Sequence, residues 1–255
     1  MKTMRHLILL LLVVSTVICN AKTELKIESN WINRGEELNY KATWGFLNIG
    51  SATTKVNKEL YKVGSNVCYK VDIIGKTNGL ASLYQVNNGW TSYIDTSTVT
   101  THKSIRRIRE GKFELDEQIR FDHQNKKAIV EFYVKNSKHY PDRKHFDTPE
   151  NIRDVIAGFL VFQLIDLSAY KAGEEFTVNG FYDDEGYSIP VKYIGSEFVK
   201  TEKGKVLCYK VIPIIPKNNV FKGSNGIEVW LSKKSHNIVR ISAKMFVGHV
   251  IIDQI

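Results

Sequence analysis

No apolar run in this chain reaches the ~20 residues that a helix needs to cross a bilayer. Leu7–Ile18 is short, and Val155–Ile165 is interrupted by Gln163 and flanked by Arg153, Asp154 and Asp166. No transmembrane span is therefore expected once the first of these is removed. Cysteine is scarce, three in 255 residues. No Gly-x-Ser-x-Gly elbow, zinc-ligand spacing or nucleic-acid-binding module occurs. Those absences argue against a serine hydrolase, a structural zinc site and a nucleic-acid partner. What remains is a chain with 43% hydrophobic and 25% charged residues, the balance of an ordinary globular domain.

The N-terminus carries the pattern of an export signal. Lys2, Arg5 and His6 precede the apolar run, and Cys19 and Ala21 flank Asn20 as at a signal-peptidase site. Cleavage is expected after Ala21, leaving 22–255 as a single β-rich domain in the periplasm or otherwise outside the cytoplasm. Lipidation at Cys19 is the alternative, disfavoured by the bulky Ile18 before it. Removing 1–21 takes away Lys2 and Arg5 and no acidic residue, so 34 basic residues face 27 acidic ones. Such a surface favours contact with anionic envelope surfaces through long-range attraction, although solubility alone also accounts for it. Cys68 and Cys208 then remain, and both sit in strand-like apolar runs. Burial as free thiols is the favoured reading over a disulfide, because cysteine packs as a small apolar residue.

One stretch differs from the strands around it. Thr148 suits an N-cap, Pro149 a first helical position, and Gly173 a stop. Between Val155 and Ile165 only Gln163 is polar, so no solvated stripe survives and a helix over 149–165 would be buried on nearly every side. Elsewhere the period is two. Tyr40, Ala42 and Trp44 alternate with polar residues, and Val67–Ile74 is a strong strand. Gly50 reads as a bulge or a point where another backbone comes close. Thr101–Val134 reads as hairpin strands with turns at Glu110–Lys112 and Asp122–Lys127, and Asn136–Asp147 reads as a polar connection into the helix.

The pattern occurs twice, over 35–134 and 173–255. Gly35-Glu36-Glu37-Leu38 returns as Gly173-Glu174-Glu175-Phe176, and Cys68-Tyr69-Lys70-Val71 as Cys208-Tyr209-Lys210-Val211. Asn88-Gly89 returns as Asn225-Gly226, so the offsets by residue number are 138, 140 and 137. Nearly constant offsets suggest duplication. The expected fold is mainly β: a strongly curved antiparallel sheet, a half-barrel or partly open barrel, built from two similar halves with one long buried helix between them.

Gly35-Glu36 followed by Tyr40-x-x-x-Trp44-Gly45, then Gly50-Ser51-Ala52, the Asp154-Val155 helix start and Val229-Trp230-Leu231-Ser232, resemble the domain of unknown function 3108 family. The resemblance covers nearly all of 22–255 and implies an exported bacterial envelope protein without an assigned reaction. Ala157-Gly158-Phe159-Leu160 departs from it, since the family more often shows a serine followed by aromatic residues there.

Candidate chemistry is sparse. His139, Asp142, His145 and Asp147 cluster without a zinc spacing and among Lys138, Arg143 and Lys144, so no metal is expected. Asp183-Asp184-Glu185-Gly186 lacks calcium-loop spacing and reads as a hairpin turn. The basic stripe His102-Lys103, Arg106-Arg107 and Arg109 is more informative. A two-residue Glu110-Gly111 loop would set Arg106 opposite Leu115 on the apolar face, and a three-residue loop would set Arg107 there. Glu117 interrupts that same face, so an inward ion pair is expected, or else an anionic ligand group held by the arginine. Trp44, Phe46 and Trp90 are candidates to line the concavity with Arg106, Arg107 and Glu117. The expected function is binding of an apolar or amphipathic molecule, such as a lipid or glycolipid, without catalysis or cofactor. The alternative is a structural or interaction protein of envelope or exopolysaccharide assembly with a filled core.

Overall fold

The computed structural model describes residues 25, 27–28, 32–135, 138–215, 226–245 and 248–255. The expected signal segment 1–21, with Cys19, lies outside the described residues, as does Asn225 of the repeat. The chain forms β1 (Glu37–Trp44), β2 (Leu47–Val63), β3 (Asn66–Thr77), β4 (Asn87–Asp95), β5 (Thr101–Glu110), β6 (Phe113–Asp122), β7 (Lys127–Lys135) and β8 (Lys138–Asp147). The helix α1 (Val155–Leu164) follows. Then come β9 (Glu175–Tyr182), β10 (Glu185–Thr201), β11 (Gly204–Pro213), β12 (Ile227–Ser232), β13 (Ile238–Lys244) and β14 (His249–Gln254).

The described strands β1–β14 form one antiparallel sheet in the order β8 to β1, then β14 to β9. The first and last strands join the halves, Tyr40 opposite Gln254 and Trp44 opposite Val250. β8 and β9 are the edges, and the sheet does not close. Eight strands precede the helix and six follow it, so β7 and β8 have no counterpart, but β1–β3 and β9–β11 share several features. β2 and β10 have 17 residues each. Cys68 on β3 and Cys208 on β11 are both free and fully buried, and Val71 and Val211 are both buried. The turns after β1 and β9 each have two residues, Gly45-Phe46 and Asp183-Asp184. The second carries positive φ at both positions, the backbone of a tight hairpin turn rather than an ion-binding loop.

The helix is shorter than the sequence suggests. Thr148 to Asp154 is not helical, turning at Glu150-Asn151 with Asn151 at φ 52°, because its backbone groups are used across the open seam of the sheet. Thr148 N donates to Lys126 O, Arg153 N to Asn179 O and Phe181 N to Arg153 O. Ile152 accepts from Thr101 N and is buried with Ile119, Phe121 and Phe181. The cap is therefore Asp154, whose carboxylate accepts from Ala157 N at 2.9 Å. From there α1 spans about 15 Å and buries Ile156, Ala157, Leu160, Val161, Phe162 and Leu164 against both halves of the sheet. Among the described residues no helix is long and apolar enough to cross a membrane.

A second difference concerns 138–147, which is the edge strand β8 and not a connection. It pairs with β7 from Lys127 opposite Asp147 to Lys135 opposite Lys138. Charged residues suit such an edge because they discourage pairing with another chain, and they erase the alternation that marks a strand.

Candidate ligand-binding cavity

The concave face of the sheet is not filled. A cavity of about 380 Å³ lies between α1 and the sheet. The helix contributes Ile156, Phe159 and Leu160 to its wall, and the sheet contributes Leu38, Ala52, Val71, Ile73, Trp90 and Ile252. These sheet residues face inward because alternate positions on each strand share one face. Ala52 sits opposite Tyr40 on β1, so a small side chain stands where a larger one would occupy the space. Tyr40 itself is 6% exposed, and burial raises the pKa of its phenol well above the ordinary value.

Polar residues line the two ends. At the helix start are Asp154, Arg106, Tyr182 and Asp183, and Tyr182 and Asp183 are exposed to solvent. At the helix end are Gln163, Asn33, Glu36, His236 and Asn237. Glu36 accepts a 3.0 Å hydrogen bond from Asn237 Nδ2. Burial holds the His236 imidazole below its ordinary pKa. Asp154 is buried, and burial pushes its carboxyl up to about 6 against the hydrogen bonds from Ala157 N and Thr101 Oγ1 that favour its charged form.

The residues singled out in the sequence separate here. The loop between β5 and β6 is Gly111-Lys112, with Glu110 opposite Phe113, so Arg106 falls opposite Glu117 and Ile108 opposite Leu115. Arg106 Nε donates to Glu117 Oε1 at 2.7 Å and Nη2 to Oε2 at 3.0 Å. Glu117 has 1% of its side chain exposed and Arg106 24%. Burial opposes the charge of Arg106, but bonding to Glu117 outweighs it and raises the guanidinium pKa. Arg106 and Trp90 line the cavity.

Trp44, Phe46 and Arg107 do not. Phe46 occupies the β1–β2 turn and is 95% exposed, because a two-residue turn projects beyond the sheet and has no inner face. Trp44 is 44% exposed at the end of β1 with its indole over Gly248. Arg107 points outward by strand alternation. Arg109 is engaged outside as well, bonding Asp116 at 3.0 Å.

Sequence reasoning missed Asp154 as the cavity's buried acid, and it missed the pairing of Asp95 with His102 at 3.0 Å. Asp-Val before an apolar run is the signal that could have found the first. The second joins the end of one strand to the start of the next, which no spacing rule reveals. Among the described residues no group of three or more His, Cys, Asp or Glu could hold a metal ion. Asp147 is exposed and pairs with Lys127 at 2.6 Å, while the side chains of His139 and Asp142 lie outside the described ones.

A curved, unclosed antiparallel sheet with one helix laid over a hollow apolar interior defines a β-barrel-like protein. Residues 39–254 match the model of the family described as Protein of unknown function (DUF3108), and the chain belongs to that family. Its fold is similar to the crystal structure of a beta-barrel-like protein of domain of unknown function DUF1849 from Brucella abortus, with a TM-score of 0.55. That match has 9% sequence identity and covers 86% of this chain and 95% of the other, a likeness of fold alone. No curated relative matches the chain.

Proposed function

We propose that this is an exported, non-enzymatic cell-envelope protein that holds an apolar or amphipathic molecule, such as a lipid or glycolipid, beneath α1. The observation that carries the reading is the cavity of about 380 Å³, within the roughly 300–1,000 Å³ typical of small-molecule sites. Its wall is apolar and its polar groups stand at the two ends, which suits a molecule with one aliphatic chain. A filled core would have left no such volume between helix and sheet. Binding rather than catalysis is favoured by the state of the thiols, since burial pushes both Cys68 and Cys208 up to about 11, far from a reactive thiolate at neutral pH. The excess of basic residues would bring the exported chain to anionic envelope surfaces.

The test is titration of purified residues 22–255 with a single-chain amphiphile, comparing the wild type with Ala52→Phe, which places a ring inside the cavity. The wild type should bind, and the variant should bind at least tenfold more weakly while keeping a cooperative unfolding transition. Equal binding by both would place the ligand elsewhere and refute the reading.

A further inference from the structure

The charge around the cavity opposes the charge of the chain. The full sequence carries a net +9, yet among the described residues lining the cavity three carboxylates, Glu36, Asp154 and Asp183, stand against one formal cation, Arg106. That cation is already spent. Glu117 takes both its Nε and Nη2 in a bidentate pair, so the pair presents almost no net charge to anything entering the cavity. His236 adds no compensating charge at neutral pH, because burial disfavours its protonated form. Both ends of the cavity are therefore acidic, Asp154 and Asp183 at the helix start and Glu36 at the helix end.

We infer that the cavity takes amphiphiles with a neutral, hydroxyl-bearing or amine-bearing head and turns away those with an anionic head. This deepens the binding function proposed above and rests on it. The physical reason is that a carboxylate or phosphate head would sit beside like charges, with Arg106 already paired and no other Lys or Arg among the described lining residues to meet it. A hydroxylated head meets what the cavity does offer, the Ser104 hydroxyl and the Asn33 and Asn237 amides. An amine would gain from Asp183 or Glu36. The arginine that reads in the sequence as an anion receptor is thus a structural partner of Glu117.

The experiment compares three probes with the same aliphatic chain, lauric acid, monolauroylglycerol and dodecylamine. Each is titrated calorimetrically below its aggregation concentration into residues 22–255 at about pH 8. Monolauroylglycerol and dodecylamine should bind, and lauric acid should bind at least tenfold more weakly than monolauroylglycerol, a difference of about 1.4 kcal/mol. In the Glu36→Gln, Asp183→Asn double variant the gap between lauric acid and monolauroylglycerol should narrow at least threefold. Lauric acid binding as tightly as the neutral probe would overturn the inference and leave the carrier reading standing. An unchanged gap in the double variant would also overturn it. Failure of all three probes to bind would remove the carrier reading and this inference with it.

Discussion

Arg106 on β5 and Glu117 on β6 meet across the inner face of the sheet in a two-point ion pair, at 2.7 and 3.0 Å. Glu117 has no alternative partner in solvent, since 1% of its side chain is exposed. Removing one member of such a pair leaves the other charge uncompensated. Glu117→Gln should therefore cost about 3 kcal/mol of stability. The double replacement Arg106→Met, Glu117→Leu should recover most of it, because both charges leave together. Urea denaturation reads both, and an unshifted midpoint for Glu117→Gln would mean the pair contributes nothing.

Asp154 links stability to pH in the opposite sense from an ordinary salt-bridged acid. Burial raises its pKa from 3.8 to about 6. The folded state then binds the proton more tightly than the unfolded state does. The stability this group contributes is complete below about pH 4 and is lost as pH rises through about 6, a change of about 2–3 kcal/mol. Asp154→Asn keeps an oxygen to accept from Ala157 N but cannot ionise. Its stability relative to wild type should increase across that window and level off above it. Guanidinium unfolding at a series of pH values reads this, and a constant difference between the two proteins would show that Asp154 does not titrate there.

Cys68 and Cys208 are both fully buried and unpaired, and burial pushes both thiols up to about 11. Native residues 22–255 should resist a thiol reagent such as DTNB at about pH 8, and two thiols should react on unfolding. Stoichiometric labelling of the folded protein would contradict the burial of these two strands.

Gly50 lies on β2 beside a register shift between Ala42 and Thr43 of β1. A Cβ built there would fall 2.7 Å from Lys76 O on the neighbouring strand. That is a backbone clash that no side-chain movement relieves, so Gly50→Ala should destabilise by about 1–3 kcal/mol. A thermal midpoint equal to wild type would show that β2 and β3 can separate at no cost.

The mainly β, antiparallel character of the sheet and the inward ion pair were legible in the sequence because each follows from a period of two along the strands. Glu117 stood out as a charge on the Leu115, Ile119 and Phe121 face, and that is where it is buried. The partner's register was not legible, since a choice of one residue in the β5–β6 loop moves every pair. Thr148-Pro149-Glu150 carries the local chemistry of a helix start, yet long-range bonds from Arg153 to β9 keep that segment out of the helix. Only tertiary structure could reveal it. Trp44 and Phe46 misled for a different reason: an aromatic residue near a Gly turn has the composition of a core residue, and only the position of the turn shows that it points away. The hollow itself left no trace, because cavity walls and packed cores are written in the same apolar residues.

Whether the hollow holds a molecule is the central question, and mass answers it most directly. The chain, exported by a host and purified without detergent, should be weighed under native conditions and again after denaturation. The account predicts extra mass on the native protein that disappears on unfolding, or that appears after incubation with envelope lipids and belongs to a neutral or amine-bearing amphiphile. Identical native and denatured masses, unchanged by those lipids, would contradict it.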